Sequence, residues 1–227
     1  NASRLNLNRD YVKAASPEIR AELRVMRERD PVMLIDLHTT DGAQFEHDVS
    51  VITSPLAPRG DGLEEAATGL SKKLQQRLAE LGHLPIDFYP AFVDDANPHS
   101  GFGKGEAPPR FSSFYMAARS RIAVLVETHS WRTYREREQS TYHTLQAVFE
   151  QATRSASTWK TVVRDADLAD ARLGGTDVTI MWTNGLGHHD IAFRGYAYEK
   201  RLSDLTGGSW LVYDERTPEI WTVPLYD

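Results

Sequence analysis

Apolar positions along the chain fall into two rhythms. The first is helical. Ile19, Leu23 and Met26 recur three and four residues apart, and Ser16-Pro17-Glu18 ahead of them supplies a hydroxyl cap, a proline where no N–H is needed, and an early acid. This predicts a helix that ends near Arg29, before Asp30-Pro31. Leu63, Ala67, Leu70, Leu74, Leu78 and Leu81 predict a second helix over 62–81, with Gly82 at the left-handed stop. Tyr142, Leu145, Phe149 and Ala152 predict a third, from about Tyr134 to Ala156. The second rhythm is continuous. Val32–Leu37, apolar but for Asp36, and Ile122–Val126 are continuous runs, the pattern of strands covered on both faces. EHDVSVI (46–52) and Ile86–Val93 carry weaker strand signals, and Pro90 demotes or bends the latter.

Strands alternating with helices predict an α/β fold with a mostly parallel sheet and flanking helices. Around 157–175 the texture changes. DVTIMW, DIAFRGYAYEK, SWLVYD and EIWTVP are short runs separated by Gly- and Asp-containing turns, which reads as all-β. The organisation expected is therefore a partial α/β domain over 1–160 and a small β-rich module over 170–227. Residues 94–110 (DDANPHSGFGKGEAPPR) form a long Gly/Pro/Asp-rich loop, the kind that tends to be functional inside a compact domain. Gly101, Gly103 and Gly105 match neither nucleotide-binding fingerprint, and no helix follows them directly.

Composition narrows the chemistry. A net charge of −6, from 26 basic and 32 acidic residues, demands no basic face, so nucleic acid is not the default partner. With no cysteine, disulfides and thiol catalysis are excluded, and any metal must rest on His, Asp or Glu. The longest aliphatic run, Ile122–Val126, is far too short for a membrane span. Asn1-Ala2 looks like a tag remnant, and TVPLYD stops just after a strand-like run. Both ends read as cuts in a longer protein.

Two buried strands end on ionisable groups, His38 in IDLHTT and Glu127 in VLVETHS. Ligands of open α/β sheets bind at the carboxyl ends of strands. A satisfied buried polar residue is the plain alternative for each, and Glu127 is the harder to dismiss because an unpartnered buried carboxylate is costly. Asp36 shares a strand face with His38. Asn8-Arg9 precedes the helix that leads into the His38 strand.

In this order, Asn8-Arg9, His38 and Glu127 resemble the carboxypeptidase A-type zinc metallopeptidases. The stretch PRFSSFYMAARSRIAVLVET is similar to large bacterial members, and the β-rich tail looks like the module that follows their peptidase domain. The resemblance implies hydrolysis of C-terminal peptide bonds by a zinc-dependent enzyme in the intact protein, on peptides with a free C-terminal carboxylate. Arg9 and Asn8 would bind that carboxylate, since a guanidinium fork matches it bidentately. His38 would be a zinc ligand and Glu127 the general base. Tyr115 or Arg110 would close over the substrate. A secreted or periplasmic location is implied by resemblance alone.

The departure is as informative. The family takes two more zinc ligands from a His-x-x-Glu motif upstream of the Asn-Arg pair. None of His38, His47, His83, His99, His129, His143, His188 and His189 has Glu at the third position after it. Either the chain begins after that motif, or it is a non-catalytic relative that binds a peptide or cell-wall polymer. On the first reading this stretch by itself is expected to be inactive, without tightly bound zinc, and prone to self-association through an exposed sheet edge. His129, two residues beyond Glu127, either approaches the site or caps the strand end. No G-x-S-x-G is present for a serine hydrolase, and nothing places Asp94-Asp95 beside Glu127 as glycosidase carboxylates.

Overall fold

The computed structural model describes residues 4–179, 185 and 187–226. Helix α1 (Pro17–Arg29) starts where the cap signal puts it, with the Ser16 hydroxyl accepting from the Ile19 N–H at 3.3 Å. Strand β1 (Met33–Thr39) follows, then β2 (Val49–Ser54) and α2 (Leu63–Glu80). Helix α2 ends in a paired reverse turn. Gly82, at φ +89°, donates to the Ala79 carbonyl, and His83 donates to that of Leu78. Short strands β3 (Pro85–Ile86) and β4 (Phe102–Gly103) flank an irregular segment, where Pro90 leaves Ile86 in β3 and an isolated Phe92–Phe102 bridge of the expected 86–93 strand. Helix α3 (Ser112–Ala118), strand β5 (Ile122–Thr128), helix α4 (Tyr134–Asp170) and strands β6 (His188–Leu202) and β7 (Ser209–Tyr226) complete the chain.

The fold is mixed α/β. The first sheet has the order β1-β5-β2-β3, with β1–β5 and β2–β3 parallel and β2–β5 antiparallel. Along β5 the side chains alternate. Ile122, Val124 and Val126 face α2 and α4, and Ala123 faces the cluster built on α1 and α3. The same alternation puts Leu125 and Glu127 on the α1/α3 side, where both line a cleft. On β1, Leu34 packs with the α1 cluster, so Asp36 and His38 project to that side as well. The structure corrects one expectation: β1 is an edge strand and only half-buried, with Leu37 46% exposed, so its apolar run does not mark burial on both faces.

Helix α4 departs from the sequence reading twice. It continues past Ala156 to Asp170, because Trp159, Val163 and Ala166 carry an apolar stripe onward against α2. Its buried face is also different. Tyr142 and Phe149 are 66% and 63% exposed, whereas Ser140, Thr144, Ala147, Val148 and Gln151 are buried. Small side chains let the two helices approach, and the Thr144 hydroxyl returns its proton to the Ser140 carbonyl at 2.7 Å instead of meeting an apolar neighbour unpaired.

Three of the four short β runs join into two long strands. The β6–β7 hairpin pairs antiparallel from His188↔Tyr226 to Leu202↔Ser209, with an irregularity at Tyr196/Ala197. The second half of the expected 177–182 strand lies outside the described residues, and 177–179 have no regular structure. The base of the hairpin shares a core with the α/β part. Phe193, Trp221, Val223 and Leu225 pack with Phe45, Phe88, Phe92 and Phe102. Gly195 is needed there, since a Cβ would lie 2.3 Å from the Trp221 ring. Among the described residues no helix is long and apolar enough to cross a membrane.

Candidate functional site

Strands β1 and β5 run parallel with His38 directly opposite Glu127. Neighbouring strands lie about 4.8 Å apart, so two side chains on one face at one register level are immediate neighbours. The strand ends open into a cleft of about 430 Å³ whose walls include Asn8, Arg9, His38 and Glu127. Four positions that the sequence spreads over 120 residues therefore meet in one place.

Asn8 and Arg9 sit in a single 3-10 turn (Leu7–Arg9). The residue after them holds that turn in place: Asp10 accepts from the N–H groups of Ala15 and Ser16 at 3.0 and 2.8 Å and from the Ser16 hydroxyl at 2.7 Å. Those bonds keep the Asp10 carboxyl below its usual range, the Ser16 backbone bond most of all. Asn8 Oδ1 then accepts the Ser112 N–H at 2.9 Å. The Arg9 guanidinium lies 4.1 Å over the Phe111 ring and donates to the Asn8 carbonyl at 2.7 Å. Among the described residues Arg9 has no ion-pair partner, so its charge is open to a ligand.

His38 is oriented from behind. Its Nε2 lies 2.8 Å from Asp36 Oδ2, and the Ser112 hydroxyl donates to the same carboxylate. Burial would raise the Asp36 carboxyl, but the bonds from His38 and Ser112 outweigh it and hold it low. Asp36 in turn raises the imidazole, chiefly through that hydrogen bond and against the opposing effect of burial. Asn8 Nδ2 approaches His38 Nε2 at 3.4 Å. Because Nε2–H is committed to Asp36, the neutral ring presents an unprotonated Nδ1, which has no hydrogen-bond partner among the described residues.

Glu127 is the opposite case. It is 6% exposed and has no hydrogen-bond or ion-pair partner among the described residues. Burial raises its carboxyl to about 7, against the lowering effect of His38 and with the help of Asp36 and Asp41. Near neutral pH it exchanges a proton freely, as a general acid or base must.

The remaining expected residues fall elsewhere. Tyr115 packs on Tyr11, ring centroids 5.7 Å apart, in the α1 core, and does not line the cleft. Arg110 is exposed, 5.0 Å over Phe111, and also lies outside the lining. His129 is 1% exposed and caps the strand end instead of reaching the cleft. Asp94 closes a turn onto the Ala96 N–H at 2.9 Å, away from Glu127. The structure adds residues that sequence reasoning missed. Tyr89 donates to Asp41 Oδ1 at 3.1 Å, and Lys104 pairs with Asp87 at 2.6 Å, all four on the cleft wall. Burial, and after it the charges of Glu127 and Asp41, raise the Tyr89 hydroxyl well above its usual range, so it stays a donor. The only signal for these in the sequence is that Lys104 lies in the 94–110 loop and Asp41 three residues past His38.

A catalytic zinc takes three protein ligands. Among the described residues no group of three or more His, Asp or Glu side chains is arranged to hold a metal ion. His38 suits one ligand position: a carboxylate on one nitrogen and a free second nitrogen is how metal-binding imidazoles are oriented. One imidazole does not make the site, so the described residues do not fit a catalytic zinc by themselves. Comparison of the chain with protein-family models, curated proteins and solved structures gives no match.

Proposed function

We propose that this cleft receives the C-terminal carboxylate of a peptide and moves a proton beside it, as the binding and acid–base part of a metallocarboxypeptidase-type site. One observation carries the reading. A cation with no ion partner among the described residues, Arg9, shares a single cleft with a buried carboxyl, Glu127, whose proton affinity lies near neutrality. Arg9 takes the carboxylate in its planar fork, with the Asn8 side chain beside it. Glu127 takes a proton from an attacking water and returns it to the leaving amine. The Asp36–His38 pair sets the field in which Glu127 titrates. Zinc-dependent hydrolysis in the protein as a whole requires two metal ligands beyond His38.

The test is calorimetric binding of a short peptide as the free acid and as the C-terminal amide. Amidation is expected to weaken binding by about tenfold or more, as a lost charge-assisted bidentate pair does. Arg9→Ala should weaken the free acid to the same degree and leave the amide unchanged. Equal affinity for acid and amide would overturn the reading. Release of the terminal residue in the presence of zinc separates a peptidase from a module that only binds.

A further inference from the structure

The geometry points to Asp41 as the residue that sets ligand specificity in this cleft, by holding a cationic nitrogen of a ligand whose carboxylate rests on Arg9. The inference rests on the carboxylate-binding reading of Arg9 and goes beyond it by assigning the ligand's other charge.

The argument is a charge inventory of the cleft wall. Lys104 and Asp87 neutralise each other at 2.6 Å, and Asp36 is engaged by His38 at 2.8 Å. Glu127 is 6% exposed at the register level of His38 and holds the proton-moving role in the reading above. Of the charged groups left on the wall after Glu127 is set aside for that role, one cation and one anion have no ion partner among the described residues: Arg9 and Asp41. The complement of such a wall is a ligand with one negative and one positive end.

Asp41 is built to serve this role. The chain is pinned on both sides of it. The Thr40 N–H donates to the Thr128 carbonyl at 2.9 Å, and the Trp131 indole N–H donates to the Gly42 carbonyl at 3.0 Å. The Tyr89 hydroxyl donates to Oδ1 at 3.1 Å, which fixes the carboxylate plane and leaves Oδ2 with no partner among the described residues. The wall also carries Leu56, Phe88, Phe114 and Leu125, an apolar surface on which the aliphatic stem of a ligand can rest. A ligand with a second negative charge would meet Asp41 uncompensated.

The ligand class is a short peptide with a free C-terminal carboxylate and a positively charged nitrogen, either a Lys or Arg side chain at the C-terminus or the free α-ammonium. The experiment measures calorimetric affinities of tripeptides ending in Arg, Ala or Glu, each with a free and an acetylated amino end, for the wild type and Asp41→Asn. Asn keeps the acceptor for Tyr89, and the site is exposed, so folding is retained. The expected order is Arg over Ala over Glu. Asp41→Asn should weaken the Arg peptide by about 2–5-fold, the strength of an exposed ion pair. It should leave the acetylated Ala peptide unchanged and strengthen the Glu peptide. If acetylation instead of the Arg-to-Ala change abolishes the Asp41 dependence, the nitrogen held is the α-ammonium. Equal affinities for all peptides, or an equal effect of Asp41→Asn on all of them, would overturn the assignment. If those same peptides still lose affinity on amidation, the carboxylate reading survives that failure. Binding of none of the peptides would overturn both.

Discussion

His38 and His129 both stand at the carboxyl edge of the central sheet, and they have opposite characters. His38 lies at the end of β1, half-buried, with one nitrogen on the Asp36 carboxylate, and its proton affinity is raised. His129 follows β5 and is 1% exposed. It accepts the Phe45 N–H at 3.2 Å on Nε2, meets the Thr40 hydroxyl at 3.4 Å on Nδ1, and stacks on the Phe45 ring at 4.0 Å. Burial first, and then the Arg132 charge, push it down to about 4. One imidazole keeps a free nitrogen and a charge partner facing a cleft. The other has both nitrogens in use and no room for a proton. Reactivity at this edge follows from the partners of each ring.

The largest effect expected from breaking this contrast is structural. His129→Ala removes a stacked, fully buried ring and leaves the Phe45 N–H unsatisfied, which should cost about 3–4 kcal/mol by urea denaturation. His38→Ala at the cleft rim should cost about 1 kcal/mol or less. Equal losses would erase the distinction.

The next effect is a pair of opposed pH dependences. Glu127, raised from an ordinary 4.5 to about 7, binds its proton more tightly folded than unfolded, so it should cost about 3 kcal/mol as pH rises through that interval. His129, depressed from 6.5 to about 4, binds its proton more weakly folded, so it should cost about 3 kcal/mol as pH falls through that interval. The two slopes oppose each other where the intervals overlap, and their combined contribution there should be nearly flat. Glu127→Gln should expose the His129 slope, so that stability falls on acidification, and should stabilise the protein at pH 8. Unfolding curves of the variant that show no new pH slope would contradict the burial-driven shift.

The smallest effect is a local titration. Asp36→Asn removes the main cause of the raised His38 proton affinity. The His38 ring resonance should titrate at lower pH, by NMR, while the His129 resonance stays in place and stability changes by less than about 1 kcal/mol. A matching movement at both rings would mean that the two sites are not independent.

Much of the frame was legible in the chain. The cap at Ser16, the leucine stripe of α2 and the stop at Gly82 are local signals with local causes, and each stands where its residues put it. Strand alternation also placed Asp36 on the His38 face. The buried side of α4 was not legible. Aromatic spacing nominated Tyr142 and Phe149, but close packing on α2 selected Thr144, Ala147 and Val148. Tyr115 was drawn into the α1 core by Tyr11, a contact across about a hundred residues that no local pattern encodes. The Tyr89–Asp41 bond spans 48 residues and escaped notice for the same reason.

The sequence by itself determined which strands end on ionisable groups and which side chains share a face, because a two-residue period is a property of the extended backbone. Only the tertiary structure decided which groups are charged. Proton affinity depends on burial and on charges brought close from distant segments. Glu127 buried with no partner among the described residues, His38 paired with Asp36, and Arg9 stacked on Phe111 at the cleft wall are consequences of that assembly.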